Sequence, residues 1–543
     1  MAGEASIWQQ DEPETYFHAL DRALAACPDR VFLEFDGRTF TYGQIDRLST
    51  RMAHALAALG VKRGQTVLTL LDSHEDSVVA WFAINKLAAI WVPVNTAYRG
   101  EFLRHQIADS GTHLVICENH YLDRIAAIAG QLTDVKRVLC RGAFNGTIDC
   151  IIPIAPLDDH RGSNDSPTTE VVRPEDTACL IYTSGTTGRS KGCIVSHNYI
   201  CNGARQQNMS VPPLPGEITW TCLPLFHIAG AGSVVLATLM AQATAAYGAQ
   251  FSVSAFWHEI ERTGATTAML MASMFPLLAQ APDNEAMLRC RGRLRAVTGV
   301  PLTAPVRKIW HERFGVPMMN SFGYGQTEAS KLSTWIWGEP LPPLASAGRP
   351  SVDFEMMIAD DSGRPLPAGV AGEILIRPRR PGIMFGGYWG RPQDTVTVWR
   401  DLWLHTGDIG KFDDDGYFYF VDRKKDYVRS RGENISSIEV EAALMAHPAI
   451  SEAAFHVVPN GGGGEDDLKV TLVLKAGESI SEEQFCRWTI EYLPYFAVPR
   501  YFEFRTALPK TLTGRVQKHQ LRDEGCTPAT WDARAAGIIV KRR

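Results

Sequence analysis

From Thr66 onward the chain alternates apolar runs of strand length with longer amphipathic ones, and few folds accept that rhythm. "TVLTLLD" (66–72) has the texture of a strand buried on both faces. "EDSVVAWFAINKLAA" (75–89) repeats its apolar residues at three and four, the period of a helix. "IWVPVN" then reads as a strand, "EFLRHQIADSG" as a helix and "THLVIC" as a strand again. A strand that returns to a parallel neighbour needs a crossover long enough to hold a helix. The rhythm therefore predicts βαβ units and a parallel sheet. It resumes after Thr177, beyond "RGSNDSPTTEVVRPED" (161–176), whose polar, Pro-containing texture predicts a surface connection. From about Gly348, short strand-like runs and Asp/Gly turns predict a compact β region. After Val421, two helix-like and three strand-like runs predict an α+β domain of about 120 residues, with "GGGGEDD" (461–467) as a loop within it. The fold class is thus α/β: a large N-terminal domain of βαβ parallel sheets plus a β subdomain, and a small α+β C-terminal domain.

Length agrees, since 543 residues exceed one domain at about 150 residues each. The net charge of −6 carries no electrostatic footprint for nucleic acid. Eleven Cys without a C-x-x-C, and an acidic start "MAGEASIWQQDEPET" unlike a signal peptide, predict reduced thiols in a cytoplasmic protein. Cys193, His197 and Cys201 recur at a spacing of four. Zinc needs a fourth or open ligand that the sequence does not offer, so these residues read as buried packing. Residues 228–250 carry no charge, but they are rich in Ala, Gly and Thr and lack basic flanks. They predict a helix buried inside the protein rather than a membrane span.

"YTSGTTGRSKG" (182–192) follows the apolar run Ala178–Ile181 and precedes a helix-like stretch from about Val195. Small residues let backbone N–H groups reach phosphate oxygens, hydroxyls add donors, and Arg189 or Lys191 supplies charge. It is not a Walker A loop, because Ser190 and Gly192 stand where that pattern needs Gly and Ser/Thr. A flexible linker is the competing reading, and the tight junction with a buried strand favours a phosphate loop.

This stretch resembles the phosphate loop of the adenylate-forming superfamily: acyl-CoA synthetases, peptide-synthetase adenylation domains and luciferases. "LPLFHIAG" (223–230), "NSFGYGQTEAS" (320–330), "SAGRP" (346–350), "GEILIR", "LHTGDIG" (404–410), "DRKKDYVRSRGENISSIEVE" and "LPKTLTGR" (508–515) resemble its other motifs, in the expected order along nearly the whole chain. The resemblance implies that Thr183, Ser184, Gly185, Thr186, Thr187 and Lys191 cradle phosphates. Tyr324 would stack on adenine, with Gly299 and Gly325 beside the nucleotide. Thr327 would bond the α-phosphate and Glu328 would hold Mg2+, while Asp408 and Arg423 would bind the ribose. Phe226, His227, Ala231, Val300, Phe322 and Gly323 would line the acyl pocket, and His227 could swing to open the thiol channel. A His among apolar residues is also an ordinary core position. Gly432, with Arg429 and Glu433, would guide the arm of coenzyme A. A mobile domain of residues 423–543 would turn on residues 1–422 about a hinge near Lys425. The substrates implied are ATP, a carboxylic acid (bulky or hydrophobic, from the small residues 230–232) or its adenylate, and CoA. Monomer and dimer both stay open.

One position departs. The family's P-K-T-x-x-G-K ends here in Arg515. Its final Lys bridges the attacking carboxylate and the α-phosphate during adenylation and is carried away for the thioester step. Arginine is a wide fork where lysine is a point charge, and a misplaced cation costs about 2–4 kcal/mol of transition-state stabilisation. Lys518, three residues on, is a candidate substitute, and Lys510 a weaker one. Three readings follow: a complete acyl-CoA ligase; an adenylation-impaired enzyme that only joins CoA to a preformed acyl-adenylate; and a non-catalytic acyl-adenylate binder. A carrier-protein arm as acceptor lacks a fused carrier domain after Lys518.

Overall fold

The computed structural model describes residues 12–143, 148–183, 190–299, 302–424, 428–430, 433–435, 437–459, 466–493, 497–511, 514, 516–538 and 540. By internal contacts the chain divides into two compact units, Met1–Glu355 with Arg377–Leu402, and Met356–Ile376 with Trp403–Arg543.

The first unit holds two seven-stranded sheets. In chain order its strands are β1 (Val31–Phe35), β2 (Arg38–Thr41), β3 (Thr66–Leu70), β4 (Ile90–Pro93), β5 (Leu114–Glu118), β6 (Arg137–Arg141), β7 (Ile154–Pro156), β8 (Thr177–Thr183), β9 (Lys191–Ser196), β10 (Ile218–Thr221), β11 (Thr244–Tyr247), β12 (Thr267–Met269), β13 (Ala296–Thr298) and β14 (Met318–Asn320). One sheet runs β7-β6-β5-β3-β4-β8-β9 and the other β14-β13-β12-β10-β11-β1-β2. In each, one antiparallel hairpin, β8–β9 or β1–β2, ends an otherwise parallel sheet. Helices α1 (Tyr42–Ala58), α2 (Glu75–Lys86), α3 (Gly100–Ser110), α4 (His197–Ser210) and α5 (Ala304–Phe314) pack among them. Every residue of α2 and α4 is buried, so their polar side chains need partners inside the protein; Asn85, Asn202 and Gln206 find them, while the His197 ring finds none among the described residues.

Two expectations shift. The helix expected from about Val195 starts at His197, because Ser196 caps it by accepting from Tyr199 N–H, and 191–196 form a strand instead. Cys193 is therefore on β9 rather than on a helix with His197 and Cys201, and no group of three metal-ligating side chains exists among the described residues. The uncharged stretch 228–250 is not one helix: it divides into Ile228–Gly230, a π-helix Ala231–Leu236, Ala237–Met240 and β11. Among the described residues no helix is long and apolar enough to cross a membrane.

The second unit contains the antiparallel strands Trp403–Phe412 and Phe418–Arg423. It also contains a four-stranded sheet of Ile450–Val458, Asp467–Leu474, Tyr501–Arg505 and Trp531–Asp532. Helices α6 (Ser437–Met445), α7 (Glu482–Tyr492) and α8 (Lys518–Glu524) accompany it. Phe455, Val470, Leu472, Phe485 and Phe502 form its core.

Candidate active site

In open parallel sheets ligands collect at the carboxyl ends of the strands, and there the first unit gathers its motifs. β13 ends at Thr298 and leads into Gly299, whose N–H donates to the Asn320 carbonyl at 3.0 Å. A Cβ on Gly299 would lie 2.2 Å from the Phe275 ring and 2.9 Å from the Leu270 carbonyl, so a larger residue cannot stand there without displacement. β14 ends at Asn320 and continues into the buried Ser321 and Phe322. Gly323 and Tyr324 then pair with Ser333 and Thr334 in a short antiparallel ladder. After Gly325, the backbones of Gln326 and Ala329 exchange two hydrogen bonds of 3.0 and 3.2 Å, which clamps Thr327 and Glu328 at the tip of the turn.

Helix α4 fastens that turn from beneath. The Tyr199 hydroxyl donates to the Thr327 carbonyl at 2.7 Å and accepts from Ser330 N–H at 2.9 Å. Asn202 and Gln206 both donate to Asp353. Glu328 is held from the other side: the Tyr388 hydroxyl donates to its Oε1 at 2.8 Å, and its carbonyl accepts from Phe385 N–H. Burial and the Glu328 charge push the Tyr388 hydroxyl pKa far up, so it remains a donor. A carboxylate held in place by the Tyr388 hydroxyl, at the tip of a clamped turn, fits Mg2+, which takes one or two carboxylates together with phosphate oxygens and water.

The phosphate loop springs from the β8–β9 hairpin. Thr183 and Lys191 are cross-strand partners that close it; Ser184, Gly185, Thr186 and Thr187 lie outside the described residues. Helix α3 ties down the exit, with His105 Nε2 donating to the Ser190 carbonyl at 2.8 Å and Gln106 to its hydroxyl at 3.2 Å. Lys191 pairs with Asp394 at 3.1 Å and lies over the Tyr388 ring.

His227 precedes the short helix that opens the 228–240 segment, its ring 4.9 Å from that of Phe226. Its Nε2 is buried with no partner among the described residues, and burial lowers its pKa, which keeps the imidazole neutral. Ala231 starts the π-helix, a geometry that is rare and recurs at functional sites. Val300 lies outside the described residues.

In the second unit Asp408 and Arg423 are cross-strand neighbours, with Arg423 Nε 3.6 Å from Asp408 Oδ1. The sequence offered no sign of this adjacency beyond family resemblance. Asp408 is 5% exposed, and its N–H is held by the Thr406 hydroxyl. Lys518 is paired with Glu441 at 2.7 Å and with the Ser437 hydroxyl at 2.5 Å, and Ser437 in turn donates to Asp422. Lys510 pairs with Glu452 at 2.5 Å. Lys425, Gly432 and Arg515 lie outside the described residues. Arg429 and Glu433 stand on a two-stranded ladder whose backbone alone is described.

Sequence reasoning missed Tyr388, Tyr199 and Lys331. Tyr388 is distant in sequence from Glu328, and nothing in "GGYWG" marks its hydroxyl. Tyr199 belongs to "HNYICNGARQQNMS", whose many amides and one Arg signal a helix with internal polar work. Lys331 directly follows "GYGQTEAS" and carries no motif of its own.

A parallel-sheet unit with a phosphate-loop hairpin and a clamped Thr-Glu turn, linked to an Asp–Arg pair in a separate small unit, defines an adenylate-forming enzyme. Comparison with known proteins agrees. The model for the AMP-binding enzyme family matches residues 20–389, and that for the AMP-binding enzyme C-terminal domain matches 439–515. A feruloyl-CoA synthase from Amycolatopsis sp. is 31% identical over 503 residues, covering 92% of this chain and 97% of that one. A crotonobetaine/carnitine–CoA ligase from Salmonella paratyphi B is 29% identical over 499 residues, covering 89% and 93%. ATP-bound MatB from Rhodopseudomonas palustris superimposes with a TM-score of 0.82 at 26% identity, covering 94% and 99%. The o-succinylbenzoate-CoA synthetase MenE of Bacillus subtilis with AMP gives 0.79 at 25%, covering 95% and 99%. The chain belongs to the AMP-binding enzyme family. Within it, it is an acid–thiol ligase of the acyl-CoA synthetase type.

Proposed function

We propose that this enzyme makes an acyl-CoA thioester from a carboxylic acid by way of an acyl-adenylate. In the first half-reaction the acid's carboxylate attacks the α-phosphorus of ATP and pyrophosphate leaves. In the second the CoA thiolate attacks the adenylate carbonyl and AMP leaves. The intact set Tyr324, Thr327, Glu328, Asp408 and Arg423 carries this reading, since a non-catalytic binder has no need of a carboxylate held for a metal. Glu328, kept in place by Tyr388, would hold Mg2+, which neutralises phosphate charge when bound. Thr183, Lys191 and the loop between them would grip phosphates; the acyl end would lie toward Phe226, His227, Ala231, Val300, Phe322 and Gly323. Residues 423–543 would turn about Lys425 between the steps, bringing Arg429, Gly432 and Glu433 to the CoA arm. Eleven free thiols support a cytoplasmic location, and sedimentation would distinguish monomer from dimer.

The size of the acid is open in this reading. Bulk was inferred from the small residues 230–232. A Cβ at Gly230 would lie 2.4 Å from the Pro224 carbonyl, and one at Gly232 would touch Ile200 and Ile228. Packing alone therefore accounts for Gly230, whereas a methyl group at 232 would make only ordinary contacts.

A second reading has a specific observation behind it. Arg515 replaces the adenylation lysine, and both candidate substitutes, Lys518 and Lys510, are engaged with carboxylates of their own unit. Adenylation would then be weak and thioester formation spared. Acid-dependent ATP–pyrophosphate exchange, compared with acyl-CoA formation from synthetic acyl-adenylate and CoA, separates the two readings. Vigorous exchange removes the impaired-enzyme reading, and silence in both assays with tight adenylate binding would leave only a binder.

A further inference from the structure

Lys331, three residues beyond Glu328, has a backbone φ of 53°, the left-handed region that non-glycine residues enter at a cost. Its ammonium donates to Gln207 Oε1 at 2.7 Å. An ammonium has three hydrogens to give, and among the described residues no carboxylate pairs with this one. Burial alone brings its pKa down to about 8, with no neighbouring anion to oppose it. A half-buried ammonium with one neutral partner is only partly compensated, and a strained backbone that holds it there marks a site at which a ligand completes the charge.

Gln207 also walls a cavity of about 30 Å³, room for one small polar group. The wall includes Ser233 of the π-helix, Met269 and Thr298 at the carboxyl ends of β12 and β13, and Thr267. Thr298 adjoins Gly299, and Ser233 lies six residues past His227, so the cavity sits behind the place assigned above to the acyl group. Its hydroxyls suit an oxyanion rather than an alkyl terminus, and Gln207, which lines it, is the residue that accepts from the Lys331 ammonium.

We propose that Lys331 and this hydroxyl-lined cavity bind a second carboxylate at the far end of the acyl substrate, making the acid a short dicarboxylic acid. The proposal rests on the ligase reading and names its substrate class; Lys331 is a specificity residue, since it touches the end that does not react.

The test is calorimetric binding of glutarate and of pentanoate, acids of equal chain length, to the full-length protein with Mg2+ and a non-hydrolysable ATP analogue. Glutarate is expected to bind at least tenfold more tightly. Lys331→Met should remove that preference by weakening glutarate alone, and Lys331→Arg should restore most of it; Lys331→Gln serves if the Met variant fails to fold. Equal binding of the two acids, or equal weakening of both by Lys331→Met, overturns the proposal, including the case in which only water fills the cavity. Thioester assays on the same acids keep the two claims apart. Preferential glutarate binding without any thioester contradicts the ligase reading alone, whereas equal turnover of both acids contradicts the role of Lys331 alone.

Discussion

The Tyr388 hydroxyl donates to Glu328 from a distant stretch of the chain, and a partner of this kind sets how well a carboxylate holds a metal. Tyr388→Phe should raise the Mg2+ concentration needed for adenylation about 10–100-fold, while thioester formation from a preformed adenylate changes little. Titrating both half-reactions with Mg2+ checks this. His197 supplies a second prediction. It is fully buried against the rings of Tyr16 and Phe17, neither nitrogen has a partner among the described residues, and burial lowers its pKa from 6.5 to about 3. A histidine with a depressed folded pKa binds its proton more readily when unfolded, so stability falls as pH drops below 6.5. The slope is about 1.4 kcal/mol per pH unit, continuing down to about pH 3. Replacing His197 with Phe removes this contribution, and the variant's urea midpoint should decline less than the parent's between pH 6.5 and 4.5. An equal decline would show that the ring is already charged in the native protein.

The element that most shapes the first unit's site is the interrupted helix 228–240, which passes through a π-turn over six residues. Its entry depends on Gly230, where a methyl group would meet the carbonyls of Pro224 and Leu223, backbone atoms that cannot step aside. Gly230→Ala should cost about 1–3 kcal/mol of stability and impair acid binding, measured by denaturant midpoint and by the KM for the acid. The sequence announced this segment only as uncharged. Its division into helix, π-turn and strand depends on Thr244 N–H meeting the Glu217 carbonyl and on β11 finding β10 and β1, long-range pairings that no local pattern encodes. Elements with a strong period were legible: "YFEFR" is a strand over its full length, and "SEEQFCRWTIEYL" is a helix from Glu482 to Tyr492 with Ser481 as its cap. β9 was hidden because "KGCIVS" is short and runs straight into a helix. The site divides in the same way. Residues within motifs were found, while Tyr199 and Tyr388, which hold those motifs from other elements, were not.

At the scale of the whole molecule the family's chemistry is shared between two compact units. One bears the Thr-Glu turn and the phosphate hairpin, and the other bears Asp408, Arg423 and the stretch ending in Arg515. If a cation at 515 serves only the first half-reaction, as the family resemblance implies, the two steps should respond differently to one substitution. In the impaired-enzyme reading, Arg515→Lys raises acid-dependent pyrophosphate exchange by about 10²–10³-fold and leaves conversion of a preformed adenylate within a few-fold; in the complete-ligase reading it changes neither step by more than a few-fold. Large, equal effects on both steps would place Arg515 outside the adenylation chemistry. The most direct measurement of the central claim bypasses that residue: incubation of the enzyme with a synthetic acyl-adenylate and CoA, with products followed by mass spectrometry. The account predicts acyl-CoA and AMP in equal amounts, lost together in Asp408→Ala. Release of free acid and AMP without thioester, or no AMP at all across a panel of adenylates, would contradict it.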